Sequence, residues 1–548
     1  MRRSAFLVLA LVGLLAAATG ASARVLRVGT YHRIKGQFSS LQAAVDAAKP
    51  GDWILVGPGD YKEHRGKAPS GRADLPSGVL ISTPRLRVRG MNRNTVIVDG
   101  TKAGAPVCSV RRSDQEWGPP GSGGAAPLGL NGVLVWKADN VWVQNLTVCN
   151  YLGGSGTAGN EIWWNGGDGS GTIGGWGFYG SYLTATSTFY ADESTAAAYG
   201  IFSSNWSGGT WDRTYTSNFN DSGYYIGACQ VVCDQTVDHA HSEYNALGYS
   251  GTNSGGQLVV ENSEFDHNED GFDTNSQNNS DWPSPQDGAC PGGAVSPITH
   301  THSCWVFVHN FVHDNNNPNV PSSGAAAAGP VGTGLSLSGA RDDTVLDNRF
   351  QNNGAWGVIF VPYPDLESPP PGTTTCTGGI SAPGNVCHYD DWGNALVGNT
   401  FTHNGFFGND TNADFAEATT TAGHAINCYR GNSDAQGNLT SSPTGLQQSN
   451  GSCGQTALIP DVDLPFTSQV LCDSQFLGAG STPCPPGANY PRRTAVIMHP
   501  LPRDLATMPN PCAGVPANPW CPAKPRHKRS KKRRRPPSHG SSGGPDQG

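Results

Sequence analysis

The sequence predicts an all-β solenoid, and three observations carry that prediction. Glycine is abundant, at 73 of 548 residues, while charged residues make up only 14%. A helical bundle needs more Leu, Glu and Lys, so this composition suits short strands and turns. Second, Gly200, Gly223, Gly248, Gly271, Gly334 and Gly357 are spaced 23, 25, 23, 63 and 23 residues apart, and all but the 63-residue interval fall within the period of roughly 20–50 residues that marks stacked repeats. Third, each of these glycines precedes an apolar or aromatic residue: Ile201, Tyr224, Tyr249, Phe272, Leu335 and Val358. Strand side chains alternate faces, so this column is expected to point inward. The next column, Phe202, Tyr225, Ser250, Asp273, Ser336 and Ile359, is expected to face outward and meet solvent.

Residues 1–23 read as a signal peptide. Arg2 and Arg3 supply the positive start, 6–18 the apolar core, and Ala21-Ser22-Ala23 a small-residue cleavage site. Nothing later reaches about 18 consecutive apolar residues, so no membrane span is expected. The 14 cysteines form an even set, and in an exported chain they are expected to pair as disulfides; their connectivity is left open. Cys229 and Cys233 lack the C-x-x-C spacing of a redox or zinc site. A secreted monomer follows as the expectation.

Ser39 or Ser40 can N-cap a helix in which Leu41, Ala44, Val45 and Ala48 share one face. Lys49-Pro50-Gly51-Asp52 ends it. A strand follows at 53–56, then the turn Gly57-Pro58-Gly59 and a further extended piece at 61–63. Strands are expected at 79–81, 86–90, 95–100, 132–135 and 141–148. Residues 101–128 and 152–175 are glycine-rich and expected to loop out. Trp163 and Trp164 fall in the second loop, where one of the pair could stack on sugars, and Trp176 lies just beyond.

A second column runs through Phe219, Tyr244, Phe265, Phe350 and Phe401. Asn220, Asn245, Asn268, Asn353 and Asn404 follow it, and they are expected to ladder at the turns. The interval of 63 holds one further rung at 306–316 and an insertion at 281–303, tied by Cys290 and Cys304 and placed beside the acidic rung. A second insertion at about 362–391 carries Cys376 and Cys387. The repeat is expected over 24–430, with a Cys-, Pro- and Gly-rich flank at 431–525. A disordered tail at 526–548 closes the chain. Residues 526–535 hold eight positive charges, although the whole chain carries −8. An acidic body behind a signal peptide argues against nucleic acid as a partner. The tail is suited to an anionic wall polymer.

The capping helix, first strand and Pro-Gly-x-Tyr turn resemble the N-terminal entry of right-handed parallel β-helix proteins of the pectin-lyase-like superfamily. The resemblance implies a right-handed parallel β-helix with an N-terminal capping helix and a disulfide-rich C-terminal flank. It implies no single activity, because lyases, esterases and non-enzymes share the fold.

One rung departs from its repeat. Glu269-Asp270-Gly271-Phe272-Asp273 places three acids in five residues. Clustered carboxylates repel one another and recruit hard cations, and calcium accepts six to eight oxygens in flexible geometry. The expected metal ligands are Glu269, Asp270 and Asp273, with carbonyl oxygens from Asn245, Asn268 or Asn275. The segment resembles the Asp-Asp-Gly-Phe-Asp calcium motif of the family 9 pectate lyases. The next glycine rung of that family carries the lysine that acts as catalytic base. Here Gly332-Thr333-Gly334-Leu335-Ser336-Leu337-Ser338-Gly339 puts Ser336 at that place, and no lysine occurs between Lys137 and Lys524.

β-Elimination on a uronate needs a base for the proton α to the carboxylate and a cation for the developing enolate. His300, His302, His309 and His313 are the replacement bases in reach by sequence, and Arg341 could hold a substrate carboxylate bidentately. Two readings follow. One is a calcium-assisted, pectate-lyase-like protein acting on an extracellular acidic polysaccharide. The other is a non-catalytic β-helix that binds carbohydrate or a cell surface around a structural calcium site.

Overall fold

The computed structural model describes residues 23–167, 172–229, 233–277, 305–324, 328–366, 376, 378–382, 386–476 and 482–523. The signal peptide but for Ala23, the insertion at 281–303, His300, His302 and the basic tail lie outside the described residues.

The chain winds as a right-handed parallel β-helix with three long faces. Sheet I has 12 strands, from Val25–Val28 to Cys428–Arg430. Sheet II has 11, from Gly59–Lys62 to Ser433–Asp434, and sheet III has 11, from Ser77–Ile81 to Ser441–Ser442. Each coil contributes one strand to each sheet, and all pairings along these faces are parallel. The coils continue past residue 430, because sheets II and III each gain one strand from the segment expected to be irregular flank.

The glycine column is a register row. Phe202 pairs with Tyr225, Tyr225 with Ser250, Ser250 with Asp273, Asp273 with Ser336 and Ser336 with Ile359. The inward row ahead of it, Ile201, Tyr224, Tyr249, Phe272, Leu335 and Val358, is fully buried. Glycine recurs because the coils approach closely there. A Cβ at Gly200, Gly271, Gly334 or Gly357 would come 2.5 Å from a carbonyl oxygen of the next coil.

The turns explain the asparagines. Between sheets II and III one residue per coil takes a left-handed conformation: Tyr244, His267, Asp314, Asn352 and His403. The residue after each is Asn245, Asn268, Asn315, Asn353 or Asn404. Each of the first four accepts the backbone N–H of the previous coil or donates to the next, at 3.0–3.3 Å. A second ladder, Asn310, Asn348, Asn399 and Asn432, follows the left-handed turn between sheets I and II. These amides satisfy buried backbone donors that no strand pairs. Two expectations are corrected. Phe265 shares its row with Val312, Phe350 and Phe401, but Ser242, not Tyr244, is its partner in the preceding coil. Asn220 donates to the Glu193 carbonyl instead of joining a ladder.

A helix closes the N-terminal end. The helix Leu41–Ala47, capped by Ser40 accepting from the Ala43 N–H, buries Leu41, Ala44 and Val45 over the first coil. Later in the chain the helix Leu464–Ser474 packs Phe466 and Cys472 against Trp356, Ile359 and Ala416 on the outer face of sheet III. From Tyr490 the chain returns along the solenoid toward its start. It is held by turn asparagines: Asn319 takes Thr494, Asn218 takes His499, Asn145 takes Met508, and Trp520 donates to the Ile34 carbonyl. Among the described residues six disulfides join Cys108–Cys149, Cys229–Cys233, Cys376–Cys387, Cys428–Cys453, Cys472–Cys484 and Cys512–Cys521. The insertion near 362–391 forms a small antiparallel sheet tied by one of them. Among the described residues no helix is long and apolar enough to cross a membrane.

Candidate functional site on the outer face of sheet III

The outward row of sheet III carries two different chemistries. Toward the N-terminus it is aromatic. Trp163 and Phe202 stack in parallel with centroids 4.7 Å apart, and Tyr225 meets Phe202 edge-on at 4.7 Å. Tyr199 joins the group, packing on both Phe202 and Tyr225. Trp163 and Trp164 are on the strand Asn160–Asn165, not in a loop. Alternation sends Trp164 into the core and Trp163 out to this platform. The aromatic edges line a cleft of about 490 Å³ with Arg72, Asn160, Asn165, Ser204 and Thr252.

Three coils on, the row becomes acidic. Asp273 lies on the strand Asp273–Asn275 and points outward, as its register requires. It does not face solvent. Only 7% of it is exposed, because the C-terminal helix and the segment around Gly329 and Pro330 cover this part of the sheet. Its Oδ1 accepts from the Ser338 hydroxyl at 2.8 Å and its Oδ2 from the Asn275 amide at 2.8 Å. Asp270 is wholly buried. Its Oδ2 accepts from the Ser336 hydroxyl at 2.6 Å and its Oδ1 from the Phe272 N–H at 3.2 Å. Gly329 must be glycine here, since a Cβ would meet the Asp270 Cβ at 2.5 Å.

Glu269 opens into a separate cleft of about 520 Å³ beneath the returning C-terminal segment. That cleft also holds Asp473, Arg492, Arg493, Glu193 and Ser322. Arg493 Nη2 is 3.9 Å from Glu269 Oε2, and its Nη1 is 3.6 Å from Glu193 Oε1. Asp473 is buried, and among the described residues neither of its carboxylate oxygens is hydrogen-bonded and its ion-pair partner is Arg492, Nη1 at 3.8 Å.

Burial controls the protonation of these acids. It pushes Glu269 up to about 8 against the pull of Arg493, and Asp273 up to about 6 against the hydrogen bonds from Asn275 and Ser338. Asp270 is raised by burial and then by the neighbouring Asp273 charge. Asp473 is raised by burial despite Arg492. Charged carboxylates are costly in so dry a place, so these acids keep their protons to higher pH than exposed carboxylates do.

The metal expectation meets this geometry as follows. Among the described residues, no set of three ligand atoms within 4.8 Å of one another draws on Glu269, Asp270 or Asp273. Asn245, expected to lend a carbonyl oxygen, accepts the Phe219 N–H with that oxygen and donates its amide along the ladder. Asn268 is engaged in the same ladder. In this packing the acids are held by protein hydrogen bonds, and an open oxygen shell is not assembled.

The replacement catalytic groups are dispersed. Ser336 stands beside Asp273 in register and donates to Asp270; a neutral hydroxyl there is too weak a base to take a substrate proton. His309 is the exposed left-handed residue at a turn between sheets I and II. Arg341 is buried, with its guanidinium 3.7 Å over the Trp392 ring and Nε donating to the Asp390 carbonyl, so it does not present itself to a substrate carboxylate. His313 lies on sheet II, on another face of the solenoid. Sequence reasoning missed Asp473, Arg492 and Arg493, which reach the site only through the fold of the flank.

No protein-family profile matches the chain, and no curated protein does. Among solved structures the chain is similar to the mannuronan C-5 epimerase AlgE6 A-module of Azotobacter vinelandii, at 12% identity and a TM-score of 0.42, covering 73% of this chain and 95% of that one. It is also similar to an alginate lyase of Paenibacillus sp. str. FPU-7, at 12% identity and a TM-score of 0.34, covering 76% and 97%. A third is pectate lyase Pel9A, at 13% identity and a TM-score of 0.36, covering 91% and 96%. The chain's own strands, turns and bridges establish what it is at the level of architecture: a right-handed parallel β-helix closed by a disulfide-held C-terminal flank.

Proposed function

We propose that this is an exported protein that binds an extracellular acidic polysaccharide along the outer face of sheet III. One observation carries the reading. A single outward register row passes from a stacked aromatic platform, Trp163, Phe202 and Tyr225, to the acidic rung at Asp273. Arginines stand near both ends: Arg72 in the aromatic cleft, Arg492 and Arg493 in the acidic one. Aromatic faces suit the apolar faces of sugar rings, and guanidinium groups suit uronate carboxylates. Coils stacked at strand spacing offer a straight track for an extended chain. Six disulfides support export.

Binding is favoured over elimination by Ser336, whose hydroxyl is committed to Asp270 where a base would be needed. Calcium belongs to the same proposal as a pH-dependent ligand. To bind at Asp270 and Asp273 it must displace their protons and their serine partners, so its affinity rises with pH. The test is to incubate the protein with polygalacturonate and alginate, with calcium or with chelator, and follow the absorbance of unsaturated product. The expected outcome is binding without product. Calcium-dependent product that vanishes in Asp273→Asn would establish elimination at the acidic rung instead.

A further inference from the structure

On sheet II, well away from the aromatic row, three consecutive strands put a different set of side chains outward. They are His241–Glu243, Glu264–Asp266 and Phe311–His313. Register pairs His241 with Glu264 and Glu243 with Asp266, and Asp266 in turn with His313. One step across strands and two residues along a strand therefore place imidazoles and carboxylates at the corners of a small grid. His267 joins it from the adjoining left-handed turn.

The contacts within the grid converge on Asp266. Its Oδ1 meets His241 Nε2 at 2.6 Å, and its Oδ2 contacts His267 Nδ1. His313 Nε2 meets Glu264 Oε1 at 3.0 Å, and its Nδ1 meets Asp314 Oδ2 at 2.8 Å. Glu243 accepts from the Tyr215 hydroxyl at 2.6 Å. Two sets of ligand atoms come within 4.8 Å of one another, His241, Glu264 and Asp266 on one side and Glu243, Asp266 and His267 on the other. Asp266 is common to both and is nearly buried, while His267 and Glu264 are about half exposed. Among the described residues none of the four acids here, Glu243, Glu264, Asp266 and Asp314, is paired with Lys or Arg; every ion pair they make is with a histidine.

We propose that this face of sheet II binds divalent transition-metal ions of the zinc and cobalt kind in two adjacent subsites bridged by the Asp266 carboxylate. Mixed imidazole and carboxylate donors select that class over calcium or magnesium, which take oxygen alone. Each subsite offers one imidazole nitrogen and two carboxylates, and the partial exposure leaves room for water in the remaining positions. The buried bridging acid fixes the site, and the ladder residues Asn245 and Asn268 hold the two turns beside it.

The test uses untagged, metal-stripped full-length protein titrated with Co2+ and Zn2+, read by calorimetry and by the visible spectrum of the cobalt form. Two equivalents are expected. Asp266→Asn weakens both by roughly 10–100-fold or more, the loss seen when even an outer partner of a metal ligand is removed. His267→Gln, at a half-exposed turn where folding is not at stake, loses one equivalent and keeps the other. Absence of binding by the wild type overturns the proposal, as does binding that survives both Asp266→Asn and His267→Gln.

Discussion

At the residue scale the decisive fact is the confinement of acids under a lid of protein. Glu269, Asp270 and Asp273 all have values raised above those of an unfolded chain, burial being the first cause of each. Such a group favours the folded state most below its unfolded value and loses that contribution as pH rises through its folded value. Stability in chelator is therefore expected to decline as pH climbs from about 4 to about 8, with Asp273 lost near 6 and Glu269 near 8. Glu269→Gln and Asp273→Asn should flatten that decline, and thermal melts across pH check it; a wild-type profile level over this window would contradict the assignment. The three acids were legible in the sequence, and so was the row on which Asp273 lies. Their burial was not, because the helix that covers them is about 190 residues further along the chain and no local pattern announces where a flank will dock. The grid on sheet II was legible in principle: His241 and Glu243 align with Glu264 and Asp266 at a spacing of 23.

At the scale of the element, the coils around Phe272 are held by inward aromatic stacking and by buried asparagine amides at the turns. Phe272 lies parallel to Tyr249 at 4.1 Å and edge-on to Phe265 at 5.3 Å. Phe272→Ala is expected to cost about 3–5 kcal/mol through lost transfer energy and the cavity left behind. Asn315→Ala removes the acceptor for the Asn268 N–H and amide and the donor to the Phe265 carbonyl. Leaving such groups unpaired costs about 1–3 kcal/mol. Both are measured as shifts in the denaturant midpoint, and unchanged midpoints would refute the roles given to these residues. Period and alternation made the inward row readable from sequence. The aromatic column misled at Phe219 and Tyr244 because a turn residue and a strand residue both precede asparagine, and only backbone register separates them.

For the whole molecule, the returning C-terminal segment ties the last coils to the first and roofs the acidic cleft, while at the aromatic end Tyr199 and Tyr225 stay partly exposed beside the buried Trp163 and Phe202. The outer face of sheet III is thus divided into a partly exposed aromatic stretch and an acidic stretch beneath the C-terminal helix. The measurement that bears most directly on this account is calorimetric binding of polygalacturonate and alginate to the wild type and to Tyr225→Ala. The account predicts that the wild type binds at least one of these uronans and that Tyr225→Ala weakens it about tenfold, equivalent to about 1.4 kcal/mol. A wild type that binds neither polymer, or a Tyr225→Ala variant that binds as tightly as the wild type, would contradict it.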